Sequence, residues 1–443
     1  MLGNNLKQVE DVAKDCSFFQ NLLHFNVPVS LANDMTDKLL ISIDSIYKDV
    51  ERWKKESWYN KIILELVTAA VHPSITKLHL CCPFSLISRS LCYRLNSLTK
   101  LRDLRLYHFG DESFEPLITQ GLCNMEHLEV FTLHYNCSDR IITTIGNTCK
   151  NLKSLDVAFS RFVSDLSIAH ILKLLYLKEI NVMDTSISND GYVKLFTGFK
   201  SNKVSDILWK LGCSKITSYH LNILLCDFSN LAEFSVKSFI SSSAVVYGTY
   251  YPQVVRFFNC KFLNIDTLLM EMGNNLIELE LDKIKDLNVK VIGENCCNLK
   301  KLKICGYVRH VPQHETNNAV LPGYQSLEEI SLTLYRDYPF IAYLISECVS
   351  LKKVDLFITD GSEHETDMTM KFILSKNPLQ NLQEFSVRTH MAGFLTKKTI
   401  LLFINQCPNI KVLRGVNTWS SIGILEDFVE EMSCLYPEIH LSE

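Results

Sequence analysis

One short apolar pattern recurs along most of the chain. In "LKSLDV" (152–157), apolar residues occupy the first, fourth and sixth positions, and thirteen further copies follow the same spacing. The first positions of the fourteen copies are Ile75, Leu101, Leu128, Leu152, Leu177, Val204, Leu231, Val254, Leu276, Leu299, Leu327, Leu351, Leu382 and Ile410. These starts span 335 residues, or about 26 residues per copy, a period too short for independent globular domains. The pattern therefore indicates a chain that grows by stacking repeats.

Each copy predicts a strand that is followed by a helix. Side chains alternate along a strand, so Leu155 and Val157 point inward while Asp156 points outward. Helical spacing of apolar residues follows in "SDLSIAHILKLL" (164–175), and "FVSD" and "ISND" supply residues typical of helix N-caps. One such unit cannot bury its apolar face alone. We therefore predict an α/β solenoid over residues 73–443, with about 14 repeats, a parallel concave sheet on the order of 60 Å long and a C-terminal cap.

Four of the 16 cysteines occupy one position of the repeat. Cys149, Cys296, Cys348 and Cys407 each precede the first apolar residue of a copy by three positions. This regular offset favours a small buried side chain over a reactive thiol. The sequence has no C-x-x-C spacing, which argues against structural zinc. Because no secretory signal is visible, we expect reduced thiols and a location in the cytosol or nucleus.

The cysteine positions carry a resemblance to a known family. "CKNLKSLDV" and "CPNIKVLRG" resemble the cysteine-containing leucine-rich repeats of the F-box and leucine-rich-repeat proteins, and "VSD" and "ISND" resemble the "ITD" element of that class. The resemblance covers about residues 73 to 415. It implies a leucine-rich-repeat horseshoe and a substrate-recognition subunit of a cullin-RING ubiquitin ligase, acting as a monomer within a complex. The concave face of such a subunit selects a protein substrate.

The first 72 residues lack the repeat and predict one or two amphipathic helices. A solenoid needs its first repeat covered, so one interpretation is a plain cap. The other is a ligase-docking segment, because "VAKDC" (12–16) and "VPVSL" (27–31) resemble the elongin-binding box and cullin element of zyg-11-like receptors, and an F-box would lie in the same region. The docking residues that these resemblances imply are Val12, Cys16, Pro28, Leu31, Leu39 and Leu40.

Two polar segments interrupt the period. We predict loops at "YVRHVPQHETNNAVLPGY" (307–324) and "TDGSEHETD" (359–367). Insertions in repeat proteins often bind partners, but a long surface loop also costs little extra entropy, so a binding loop and a tolerated insertion both fit.

Composition and motifs exclude several classes of function. The net charge of -4 arises from 45 basic and 49 acidic residues that are well mixed, which does not predict binding to nucleic acid. The longest apolar stretch, "IILELVTAAV" (62–71), is too short to span a bilayer. No catalytic, phosphate-binding or zinc-protease motif occurs, so we expect no enzyme, no cofactor and no metal.

The outward-facing strand positions are the remaining candidates for function. Carboxylates recur there in repeats five to nine, and lysines follow. Because like charges on neighbouring strands repel, we hypothesise that these repeats present an acidic strip to a basic protein or peptide. A merely solvated strand face and a scaffold or inhibitor without any ligase are the alternatives. The candidate residues are Asp156, Glu179, Asp206, Glu233, Glu278, Glu280, Lys301, Lys303 and Lys353.

Overall fold

The chain forms two compact units. The first comprises Met1–Ser214 with Asp227–Leu231, and the second comprises Lys215–Cys226 with Ala232–Glu443. The structure, a computed structural model, describes residues 14–15, 17–18, 21, 27–51, 57–71, 73–80, 85–107, 112–241, 248–306, 324–335, 338–359, 363–389, 396–415 and 422–442. The predicted division at residue 72 stays a prediction.

The first unit contains a parallel sheet whose strands follow in chain order. Its strands are β1 (Lys77–Leu80), β2 (Asp103–Leu106), β3 (Val130–Leu133), β4 (Ser154–Asp156), β5 (Glu179–Asn181) and β6 (Lys210–Ser214). Its α-helices are Val29–Glu51, Ser57–Ala70, Ser85–Leu95, Glu115–Leu122, Asp139–Thr148, Ile168–Ile171 and Asn189–Ser201. Leu104, Phe131 and Leu155 lie side by side in register and are buried. The apolar positions of the repeat thus form continuous rows in the core.

The second unit repeats this arrangement. Its strands are β7 (Glu233–Lys237), β8 (Val254–Phe258), β9 (Glu278–Asp282), β10 (Lys301–Gly306), β11 (Glu329–Leu334), β12 (Lys353–Ile358), β13 (Glu384–Thr389), β14 (Val412–Arg414) and β15 (His440–Ser442). The strands from β7 to β13 have five or six residues each. Every neighbouring pair from β7 to β15 is parallel. The helices are Phe262–Met272, Val289–Asn295, Tyr338–Ser346, Glu363–Lys376, Lys397–Gln406 and Ile422–Leu435, together with Ser218–Asp227, which belongs to this unit up to Cys226. These ladders confirm the α/β leucine-rich-repeat solenoid.

Two of the predicted repeat starts are wrong. Val204 lies in a 3-10 turn that ends at Asp206, and β6 buries Leu211 and Cys213, so this repeat starts at Leu208. The apolar residues of this segment fit the repeat pattern in two registers, which is why the start was predicted at the wrong residue. Likewise, β8 buries Val255 and Phe257, which moves the start of that repeat from Val254 to Pro252. The strand β15, inside the predicted C-terminal cap, was not predicted.

The helix starts of the first unit are linked from one repeat to the next. The Asp139 carboxylate accepts hydrogen bonds from the Ser164 backbone N–H (2.8 Å) and hydroxyl (2.6 Å). Asp165 accepts the same pair from Ser188, at 2.8 and 2.5 Å. Ser164 and Ser188 are themselves N-caps. The aspartates of "CSD" and "VSD" therefore each fix the helix cap of the following repeat, a role beyond the predicted helix start.

The two predicted loops have different outcomes. The helix Glu363–Lys376 begins inside "TDGSEHETD", so residues 363–367 are helical and the loop prediction is wrong there, while residues 360–362 lie outside the described residues. Asp367 is buried, and its carboxylate accepts hydrogen bonds from the Thr396 N–H (3.1 Å) and hydroxyl (2.6 Å), which offset the cost of its burial. Residues 307–323 also lie outside the described residues.

The four repeated cysteines lie inside the core, at or just after the carboxyl ends of helices. Each is at most 1% exposed, and the Cys149 N–H donates to the Ile145 carbonyl (2.8 Å) at the end of the helix Asp139–Thr148. Burial raises the pKa of the Cys149 thiol to about 12. The thiols are therefore protonated near neutral pH, in agreement with the predicted structural role.

Alkylation tests this role of the cysteines. Because the thiolate is the reactive form, iodoacetamide at pH 8 should label exposed Cys297 in the native protein and spare its buried neighbour Cys296, whose pKa burial raises to about 12. Peptide mass spectrometry reads both sites, and unfolding in urea should make them equally reactive. Comparable native labelling of Cys296 and Cys297 would contradict the assignment.

Candidate protein-interaction surface

The predicted acidic strip of the second unit is centred on an arginine. Arg256, on β8, places its guanidinium 3.0 Å from Glu233, 2.8 Å from Glu278 and 3.3 Å from Glu280. Its side chain is only 21% exposed. Burial by itself would lower the pKa of Arg256, but the hydrogen bonds and charges of Glu233 and Glu278 outweigh this effect and raise it. The guanidinium of Arg256 therefore compensates part of the charge of these three carboxylates within the chain.

The same pairing continues along the outward face of the second unit. Lys303 contacts Glu280 at 2.7 Å, Lys301 contacts Glu329 at 3.0 Å, and Lys353 contacts Glu384 at 3.0 Å. The alternating signs lie on neighbouring parallel strands, where opposite charges attract. Lysines and Arg256 thus compensate part of the negative charge of the acidic strip that the sequence predicts in this unit. A role of these residues in partner binding stays a prediction.

The candidate residues of the first unit do not form one strip. Glu179 accepts a hydrogen bond from the Ser154 hydroxyl (3.0 Å) and lies in register with Lys210. Asp206 lies off the strand in the turn Val204–Asp206, so its predicted place on the outward face is wrong. Asp156 is the remaining carboxylate, and it lies beside an aromatic group that the sequence analysis missed.

We name this group the strand-end cluster: Tyr107, His134, Tyr135, Phe159 and Asp156. Its aromatic residues follow the carboxyl ends of the parallel strands β2, β3 and β4. Tyr135 stacks on Phe159, with ring centroids 5.2 Å apart and an 18° interplanar angle. The His134 ring contacts Tyr107 and Phe159 edge-on, at 5.3 and 6.0 Å. Tyr135 nevertheless keeps 45% of its surface exposed, so the cluster offers an aromatic surface to solvent.

The backbone of the stacked pair is strained. Tyr135 and Phe159 both have a left-handed conformation, with φ of 73° and 64°. For a bulky residue this conformation costs about 1–2 kcal/mol, and it recurs at the same position of later repeats, at Lys215, Ser238 and Lys283, so it belongs to the turn that follows each strand. The corresponding position of the next repeat holds Asp184, at φ 56°, a residue type that tolerates the conformation better. Aromatic residues at one fixed position after the strand are the sequence signal that could have revealed the cluster.

The neighbouring strand β2 holds a complete carboxylate, guanidinium and tyrosine arrangement. The Arg105 guanidinium donates to both oxygens of Asp103, at 2.9 and 3.2 Å. The hydrogen bonds with Asp103 raise the pKa of Arg105 against the lowering effect of burial, and the Tyr107 hydroxyl adds to the increase. Asp103 also lies 3.1 Å from His79 Nε2. This face of the chain thus already binds one cation between an acid and an aromatic residue.

Asp156 has a different set of contacts. Its Oδ1 accepts a hydrogen bond from the Ala158 N–H (3.1 Å) and lies 3.1 Å from His134 Nε2, although the histidine atom lacks hydrogen-bond geometry. No lysine or arginine in the described part of the chain lies within 4.0 Å of this carboxylate, whose side chain is 30% exposed. The charge of Asp156 is therefore available at the edge of the cluster.

The predicted ligase-docking residues divide by exposure. Leu40 is only 2% exposed on the helix Val29–Glu51, which covers the first repeat through the hydrogen bond from Asn33 Nδ2 to Thr76 Oγ1 (2.8 Å). The interpretation of this segment as a cap stays a prediction, and Leu40 is too buried to touch a partner. Pro28 and Leu31 are exposed and Leu39 is half-buried. Val12 and Cys16 lie outside the described residues.

The described residues contain no group of three or more histidine, cysteine, aspartate or glutamate side chains that could hold a metal ion. In the same part of the chain, each helix is too short or too polar to cross a bilayer.

Comparison with known proteins found no matching family model and no matching curated protein. Among solved structures, an internalin of Listeria monocytogenes matches with a TM-score of 0.37 and 12% identity, over 79% of this chain and 82% of that one. A leucine-rich-repeat protein of Leptospira interrogans matches with a TM-score of 0.32 and 16% identity, over 86% and 91%. The TLR13–ssRNA13 complex matches with a TM-score of 0.37 and 13% identity, over 84% and 65%. The fold assignment rests on the strand ladders of this chain itself.

Proposed function

We propose that this leucine-rich-repeat protein recognises a segment of another protein through the strand-end cluster. The observation that supports this most is the stacking of the exposed Tyr135 ring on the half-buried Phe159 ring. Exposed aromatic residues are enriched among the residues that dominate binding energy at protein interfaces. The paired charges of the second unit are less favourable for binding, because a partner would have to separate them or match them closely.

A more specific proposal follows from the resemblance of the cysteine-containing repeats. In it, the chain is the substrate-recognition subunit of a cullin-RING ubiquitin ligase in the cytosol or nucleus, and the segment around Pro28 and Leu31 docks the adaptor and cullin. The exposure of both residues is compatible with docking. The competing proposal is a scaffold or inhibitor that occludes its partner without any ligase.

The interaction proposal is tested by quantitative recovery of partners. We expect the double variant Tyr135→Ala with Phe159→Ala to recover at least tenfold less of the proteins that bind the wild-type chain, because truncating aromatic anchors typically costs 1 kcal/mol or more each. Tyr176→Ala is the matched control, since Tyr176 is 59% exposed but precedes strand β5. Equal recovery by the double variant and the wild type, at unchanged melting temperature, would refute the proposal.

Docking to a ligase is tested separately. Deleting residues 1–72 would also remove the cap of the first repeat, so point changes are preferable. We expect Leu31→Asp to remove co-purifying cullin and adaptor subunits while the cluster-dependent partners are kept. Ile41→Asp, at a 68% exposed position of the same helix, is the control. Loss of neither subunit in the Leu31 variant, or absence of cullin from the wild-type complex, would favour the scaffold.

A further inference from the structure

We propose that the strand-end cluster receives a guanidinium group, an arginine side chain of the partner segment. This inference rests on the proposed interaction function and adds the chemistry of the group that is recognised. Three features of the described residues support it: the exposed Tyr135 ring stacked on Phe159, a carboxylate that no described lysine or arginine contacts, and strand β2, two strands away, which holds an arginine between a carboxylate and a tyrosine.

The aromatic part supplies the surface on which a guanidinium packs. The planar guanidinium stacks on aromatic faces, and its attraction to the ring quadrupole increases as water is excluded. Tyr135 and Phe159 are stacked on each other, and Tyr135 is exposed. The edge contact between His134 and Phe159, at 6.0 Å, joins this stack to Asp156.

The carboxylate supplies the countercharge. On the outward face of the first unit, Asp103 is paired with Arg105, and Glu179 lies in register with Lys210. Asp156 contacts a histidine and one backbone N–H, and within the described ranges no lysine or arginine reaches it. A partly exposed carboxylate beside aromatic rings is complementary to an arginine, which can bind it through two parallel hydrogen bonds.

The strand β2 shows that this face can hold such a group. Arg105 is bound there by Asp103 through two hydrogen bonds and lies beside Tyr107. Two repeats further on, at the register position of Arg105, Asp156 presents a carboxylate at the end of β4 beside His134, whose ring contacts Phe159. An arginine from a partner would complete there what Arg105 completes on β2.

Synthetic peptides test the inference on the full-length protein. The probes are a glycine–arginine heptapeptide with three arginines and the same peptide with citrulline, which keeps the shape of arginine but carries no charge. At 150 mM salt we expect the arginine peptide to bind at least tenfold more tightly than the citrulline peptide. Fluorescence anisotropy of labelled peptides measures both affinities. Equal affinities, or no binding of the arginine peptide, would overturn the inference.

Variants assign the binding to the cluster. Asp156→Asn should lower the affinity for the arginine peptide at least fivefold and leave the citrulline peptide unchanged. Asp190→Asn, which makes the same change in net charge at an exposed helix position, should have no effect. Tyr135→Leu, which keeps apolar area but removes the aromatic face, should also weaken the arginine peptide. Full binding by the Asp156→Asn variant would overturn the inference.

The outcomes separate this inference from the proposed function. If the arginine and citrulline peptides bind equally and both are lost in Tyr135→Leu, the cluster is an apolar docking surface, so the arginine inference fails while the proposed function stands. If neither peptide binds but partner recovery still depends on Tyr135 and Phe159, the arginine inference also fails and the proposed function again stands. If partner recovery is also independent of these residues, both fail.

Discussion

Replacing Arg256 with methionine is expected to lower the free energy of unfolding of the second unit by about 2–4 kcal/mol. The change would leave Glu233, Glu278 and Glu280 close together without the guanidinium that now lies within 3.3 Å of each. Removing one partner of a buried ion pair costs about 3–5 kcal/mol, and the 21% exposure of Arg256 reduces that figure. Urea unfolding and hydrogen exchange of the β8 and β9 amides measure the loss.

Arg388→Met is the control for this prediction. Arg388 also donates two hydrogen bonds to a carboxylate, that of Asp355, at 2.9 and 3.0 Å, but its side chain is 47% exposed. Solvent screens such a pair, so we expect a loss of about 0–1 kcal/mol. Adding Glu280→Gln to the Arg256 variant should recover part of its stability because one repelling charge is removed. Equal losses of unfolding free energy in the Arg256 and Arg388 variants would contradict the prediction that the three surrounding carboxylates make Arg256 more important for stability.

Gly146→Ala is expected to destabilise the first unit by about 1–2 kcal/mol. A Cβ atom at Gly146, in the helix Asp139–Thr148, would lie 2.5 Å from the carbonyl oxygen of His170 in the next repeat. Backbone cannot rotate away, so the two helices would have to separate, and overpacking of this kind costs about 1–3 kcal/mol. The higher helix propensity of alanine offsets at most about 1 kcal/mol of this overpacking cost. The midpoint of urea unfolding measures the net effect.

Gly198→Ala is the matched control. A Cβ at Gly198, in the helix Asn189–Ser201, would meet the terminal carbons of Leu172 at 2.5 and 2.6 Å. A leucine side chain can change rotamer, so the clash costs less and the gain in helix propensity offsets part of it. We expect a change within about 1 kcal/mol of zero. A larger loss at Gly198 than at Gly146 would refute the backbone argument.

The sequence predicted the fold well because the core of a repeat protein is encoded locally. The spacing of Leu152, Leu155 and Val157 identifies the inward face of a strand without knowledge of any distant residue. The same argument failed at Val204 and Val254, where neighbouring apolar residues fit the pattern in more than one register. Such a choice is decided by tertiary packing, since only one register continues the core rows of the adjacent strands.

Less of the candidate site could be predicted from the sequence. The sequence identified the carboxylates of Glu233 and Glu278. Whether a cation compensates their charge depends on the position of Arg256, and its strand was predicted in the wrong register. The strand-end cluster was missed because its members follow the strand, in positions that the apolar pattern does not constrain. A search for aromatic residues at a fixed distance after each repeat start would have brought Tyr135 and Phe159 together.

The aspartate links between repeats give the first unit a direction. Asp139 completes the helix cap at Ser164, and Asp165 does the same at Ser188, always from the earlier repeat to the later one. Shortening the chain from its carboxyl end leaves every remaining cap with its acceptor. Shortening it from the amino end removes the acceptor of the next repeat, whose helix then starts with a weaker cap. Truncation at the amino end of this unit therefore weakens a helix cap that truncation at the carboxyl end leaves intact.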